Sequence, residues 1–146
     1  MSYSASAIIM LAAGVGVPIL AALNAALGQF LGSPVAAVTI LLFVAFFTTI
    51  IIFFSSSGFS IDKLVDAPRH LFFGGLFMVF YILSITSIAP NFGVGNAIFF
   101  VLLGQLLSAA VIDHLSLFGS NGAPLSLSRV CGIGVMAIGI WITQQT

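Results

Sequence analysis

Long apolar runs, each broken by a short cluster of glycine, proline, serine or charged residues, organise this chain from end to end. A helix needs about 20 predominantly apolar residues to cross the hydrocarbon core of a bilayer. Five segments meet that length: residues 4–29, 34–54, 69–89, 95–114 and 127–144. The runs are apolar all round and show no alternation of apolar and polar positions, so a membrane β-barrel does not fit. Helices satisfy their own backbone hydrogen bonds inside lipid, as an open sheet would not. The predicted fold class is all-α: a polytopic membrane protein of five transmembrane helices in one transmembrane domain, residues 1–146.

The breaks carry their own signals. Gly32-Ser33-Pro34 is a tight turn that sets Pro34 at a helix start, where its missing N–H costs nothing. Residues 55–68 form a polar loop with Asp62, Lys63 and Asp66, ending in Asp66-Ala67-Pro68, an acidic cap-like residue followed by proline at the next helix start. Ala89-Pro90-Asn91-Phe92-Gly93 marks a further break, and residues 116–126, with Gly119, Asn121, Gly122 and Pro124, read as a loop. Residues 1–7 lack Lys and Arg, and the apolar stretch behind them is too long for the core of a cleaved signal peptide, so it reads as a spanning helix.

Charge sharpens the picture. Lys and Arg number 3, Asp and Glu 3, and charged residues make up 4% of the chain against 61% hydrophobic; an ordinary soluble domain has about a quarter charged residues. The partner of such a surface is the lipid bilayer. With no basic run, nucleic acid is excluded as a partner. Lys63, Arg69 and Arg129 all fall on the side of the membrane shared by the N-terminus and the 55–68 and 116–126 loops. The positive-inside rule therefore places the N-terminus in the cytoplasm and the C-terminus outside.

Candidate chemistry is sparse. No carboxylate pair, no Ser/His/Asp grouping and no metal-spaced His or Cys set stands out, so the sequence implies no enzyme, no cofactor and no metal. Cys131 is the single cysteine and reads as a small buried helix residue. Thr48, Thr49 and Ser84 carry hydroxyls that can bond back to their own helix. The polar groups within the spans are neutral, and the two leading candidates are Asn24 and Gln105; a buried amide is costly unless satisfied, so each either joins two helices or faces a cavity. Gln105 shares a helix face with Val101, Ser108 and Ile112, whereas Asn96, nine residues earlier, lies on the opposite face. Pro18, six residues before Asn24, removes a hydrogen bond from the first helix, kinks it and frees a carbonyl near the kink. Asp113 and His114 close the fourth helix, either as a plain interfacial end or as a relay at a cavity mouth, and Asp113 can pair with Arg129. The candidate substrate-binding residues are Asn24, Gln105, Pro18, Ser108 and Asp113.

Taken in order, Pro18, Asn24-Ala25-Ala26-Leu27-Gly28, Leu31-Gly32-Ser33-Pro34, Gly74-Gly75, Gly104-Gln105-Leu106-Leu107-Ser108, Ile112-Asp113-His114, Phe118-Gly119, Arg129 and Gly132 resemble the YdcZ-type five-helix family of the drug/metabolite transporter superfamily. The resemblance covers nearly the whole chain. Asn24, Gln105 and Asp113 match the family's pattern; Leu20 and Ala26 stand where that pattern often has a glutamine and a basic residue. It implies a bacterial inner-membrane transporter or exporter of a small organic molecule, half of a ten-helix architecture made from two inverted five-helix halves. A five-helix chain would complete that architecture as a homodimer, antiparallel or not, or by pairing with a homologous five-helix chain. The four-helix multidrug members of the superfamily couple protons through a carboxylate in their first helix, and the first helix here has none. A neutral or zwitterionic substrate is therefore expected. The competing function is a non-transporting membrane subunit or assembly factor, with its polar residues serving only to join helices.

Overall fold

The computed structural model describes residues 2–56, 64–120 and 124–145. Asp62, Lys63, Asn121 and Gly122, which the sequence places in loops, lie outside the described residues. The described residues form five α-helices and no strand. They are α1 (Tyr3–Leu31), α2 (Pro34–Ser55), α3 (Gly74–Phe92), α4 (Val94–His114) and α5 (Leu127–Thr143). A 3-10 segment, Arg69–Phe73, leads into α3, and another, Leu117–Gly119, follows α4. Four stretches, Tyr3–Leu31, Pro34–Ser55, Arg69–Phe92 and Val94–His114, are long and apolar enough to cross a membrane. At 17 residues α5 is shorter; at 1.5 Å per residue it reaches about 26 Å, close to the hydrocarbon thickness of a bilayer.

The chain divides into two compact units, Met1–Val94 and Gly95–Thr146. In the first, α1 packs on both α2 and α3, and α2 packs on α3. The Ser2 hydroxyl caps α1 by accepting from the Ala5 amide. At the other end Gly32 adopts φ 65°, a left-handed conformation that glycine takes without strain, and its N–H caps the last turn. Ser33 then caps α2 by accepting from Ala36, with Pro34 in the first turn. Two residues thus reverse the chain and lay α2 beside α1.

The start of the third span differs from expectation. Pro68 precedes the 3-10 segment with no side-chain cap, so Asp66 does not cap this start. Helix α3 also continues through Pro90 to Phe92, and the chain breaks at Gly93, φ 89°. Proline fits a helix's φ, and with few residues left only one hydrogen bond is lost; the glycine, free to take positive φ, makes the turn.

The core of the first unit combines small residues on α1 with two isoleucines on α3. Ala21, Asn24, Ala25 and Gly28 of α1 meet Ala37 and Val38 of α2 and Ile82, Ile85, Thr86 and Ala89 of α3, all buried. Lipid tails are as apolar as leucine, so helices in a bilayer gain little from hiding large apolar groups from each other; they gain from close backbone approach and interhelical hydrogen bonds. The large side chains face outward accordingly: Leu11, Phe46, Phe77 and Phe80 are all exposed. An apolar surface of this extent is stable against lipid or another apolar chain, not against water.

The second unit holds α4 and α5. Ala97 and Ala110 are the buried residues of α4, and α5 has none. Cys131 is exposed, contrary to the sequence expectation; small size alone does not select the face that a helix buries.

Candidate functional site

In the first unit the site is a polar clamp between α1 and α3. The Asn24 side-chain amide donates to the Thr86 hydroxyl at 2.7 Å, and both residues are buried, 3% and 1% exposed. Ala21, Asn24, Ala25 and Gly28 follow the one-face spacing of a helix, which turns the amide toward α3. Gly28, one turn beyond Asn24, sets how close the helices come. A Cβ there would lie 3.3 Å from Thr86 Cγ2, 3.4 Å from Pro34 Cα and 3.7 Å from Ala37 Cβ.

Two prolines free carbonyls in this unit. Pro90 lacks the N–H that would bond the Thr86 carbonyl one turn earlier, so Thr86 carries the clamp on its side chain and an acceptor released from the helix ladder on its backbone. Pro18 does the same for Gly14 within an unbroken α1. Pro18 is half-buried and lies about 9 Å along the helix axis from Asn24. Asn24 also borders a groove of about 330 Å³ between α1 and α2, with Leu20, Leu23, Leu27, Ile40 and Val44 among its walls. The amide therefore joins two helices and also edges an apolar groove. Thr86 was missed in the sequence; its position one turn before Pro90 was the available signal. The hydroxyls of Thr48 and Thr49 bond back to the carbonyls of Val44 and Ala45, as expected.

Gln105, Ser108 and Asp113 belong to the second unit. Gln105 and Ser108 are exposed on α4, less than a turn apart, close to the middle of the helix. Asp113 pairs with Arg129 at 2.7 Å across the α4–α5 connection, each side chain 32% exposed. The same end is tied by three further bonds. The Leu125 amide donates to His114 Nδ1 at 3.3 Å, the Ser120 hydroxyl donates to the Ile112 carbonyl at 3.2 Å, and the Arg129 amide donates to the Ser126 hydroxyl at 3.2 Å. The pair lets a carboxylate and a guanidinium sit at the end of an apolar span with their charges mutually compensated.

Two units of apolar helices, with buried or paired polar groups at helix crossings and ends, define a polytopic membrane protein. Residues 5–142 match the family described as "Putative inner membrane exporter, YdcZ". The chain belongs to this YdcZ family of the drug/metabolite transporter superfamily. No curated protein and no solved structure matches it.

Proposed function

We propose that this chain is one half of a secondary exporter of a small organic molecule, completed by a second five-helix chain, most simply another copy of itself. The observation that carries this reading is the match to an exporter family over residues 5–142. The odd span number supports it: a second five-helix half inserted in the opposite orientation builds an inverted repeat, with a site near the bilayer midplane and rocking of the halves to alternate access. Asn24 and Gln105 contact the substrate, Ser108 lines the same face as Gln105, Pro18 supplies a pivot and a free carbonyl, and Asp113 stands at the mouth. The spans carry no charged side chain between their ends, which favours a neutral substrate and a non-enzymatic role. Lys63, Arg69 and Arg129 favour a cytoplasmic N-terminus, and a bias of three residues is weak enough for both orientations to coexist.

Reconstitution into liposomes with a panel of small organic compounds tests the reading. Asn24→Ala and Gln105→Ala are expected to lower flux without lowering membrane expression, and labels on the termini are expected to be reached from both sides. Normal flux in both variants overturns the site; a single orientation overturns the antiparallel homodimer.

A second reading has an observation of its own. The Asn24 amide already has its partner within the chain, as it would in a non-transporting subunit whose polar residues only join helices. No flux of any compound by the wild type, with the clamp needed for stability, would favour that reading.

A further inference from the structure

The Tyr81 hydroxyl has the most unusual setting of any polar group in the first unit. Its oxygen is sealed from the surface and has no hydrogen-bond partner among the described residues, although the residue as a whole is only half-buried. Tyr81 lies at the middle of the Arg69–Phe92 span. Tyrosine in membrane proteins is enriched at the interfaces, where its ring stays apolar and its hydroxyl stays wet. At about 12 residues, or 18 Å, from either end of the span, the hydroxyl cannot reach water or headgroups. Nor can it follow the hydroxyls of Thr39, Thr48, Thr49 and Ser55, which donate to carbonyls about one turn back; the rigid ring carries the tyrosine oxygen away from its own backbone. A buried hydroxyl without a partner is destabilising.

Tyr81 stands beside buried Ile82 and one turn before buried Ile85, at the flank of the face that α3 packs into the unit. Resting on the exporter reading above, we infer that Tyr81 is a substrate-binding residue: its O–H donates to the transported molecule once the side chains covering it move apart. The ligand chemistry follows from the donor and its surroundings. A lone phenolic donor in a span with no charged side chain between its ends selects a neutral, largely apolar molecule with one strong acceptor, such as a carbonyl, ether or pyridine-type nitrogen. The structure holds the donor unsatisfied, so a ligand that satisfies it favours a conformation in which the hydroxyl is accessible.

Matched ligand pairs test this on the full chain in detergent. Quinoline against naphthalene, and acetophenone against ethylbenzene, differ chiefly in the acceptor. Apparent affinity is read from the concentration dependence of the unfolding midpoint, for the wild type and for Tyr81→Phe. The wild type is expected to bind the acceptor-bearing member about three- to tenfold more tightly, the equivalent of one hydrogen bond. Tyr81→Phe is expected to bind both members alike, with its own ligand-free midpoint unchanged or raised. The hydrocarbon member and the Phe variant together cancel partition into the micelle. The assignment is overturned if the wild type does not discriminate, if Tyr81→Phe keeps the preference, or if Tyr81→Phe lowers the ligand-free midpoint, which would mean the hydroxyl has a structural partner. Should any of these occur while Asn24→Ala and Gln105→Ala still reduce liposome flux, the exporter reading stands and Tyr81 alone falls; loss of wild-type flux is the separate signature of failure of that reading.

Discussion

Asn24 and Thr86, 62 positions apart in the chain, are joined by a buried 2.7 Å hydrogen bond that ties α1 to α3. The bond lies at the level where Gly28 lets the helices approach and Pro90 releases the Thr86 carbonyl. Packing, hydrogen bonding and backbone chemistry thus converge on one helix crossing, and a defect in any of them should be felt by the others.

A double-mutant cycle measures the clamp. Asn24→Ala leaves the Thr86 hydroxyl without its partner, and Thr86→Val removes that hydroxyl at nearly constant shape. Each single change should lower stability by about 1–3 kcal/mol. The double variant should lose less than the sum, with a coupling of about 0.6–2 kcal/mol, the range for hydrogen bonds between membrane helices. Unfolding in mixed micelles provides the values. Strict additivity would show that the bond contributes nothing.

Gly28 gives a steric prediction. Alanine is a better helix former than glycine by about 1 kcal/mol, but its Cβ would come within 3.3 Å of Thr86 Cγ2, a methyl whose side chain the Asn24 bond holds in place. Gly28→Ala should therefore fail to deliver its propensity gain in the wild type and should deliver it in a Thr86→Ser background, which keeps the hydroxyl and removes the methyl. Gly28→Leu should lose several kcal/mol by forcing the helices apart. Unfolding midpoints of the wild type, Gly28→Ala, Thr86→Ser and the variant carrying both changes check the first claim.

The Asp113–Arg129 pair should matter less for stability than its short distance suggests. Both side chains are about one third exposed, at 32% each, and exposed ion pairs contribute about 0–1 kcal/mol. Asp113→Asn should thus shift stability by no more than about 1 kcal/mol, and exchanging the two residues (Asp113→Arg with Arg129→Asp) should restore most of what Asp113→Arg alone loses. A large loss in Asp113→Asn, read by thermal unfolding, would mean that the pair sits in a drier setting than its exposure implies.

Much of this was legible in the sequence because lipid makes local rules decisive. A helix in hydrocarbon must satisfy its own backbone, so the length of each apolar run settles the spans without help from tertiary contacts. The Gly32-Ser33-Pro34 turn could be read residue by residue, since each has a local reason for its place. Local signals misled where two competed: Pro90 suggested a stop, and the helix went on to Gly93, because one missing N–H near a helix end is a small loss. Asp66 suggested a cap that does not form.

The sequence by itself determined that the chain lives in a membrane as five apolar helices and that Asp113 and Arg129 lie near enough to pair. Only the tertiary structure decided what those groups meet. Helices that are apolar all round carry almost no periodic mark of an inside, so only its place one turn before Pro90 told Thr86 from Ser84, and nothing along the chain showed Cys131 on the surface or the Tyr81 hydroxyl sealed off. Those choices depend on which face of each helix its neighbours cover. In a bilayer that is decided by the fit of small side chains and a few hydrogen bonds, a property of pairs of helices and not of any one run of residues.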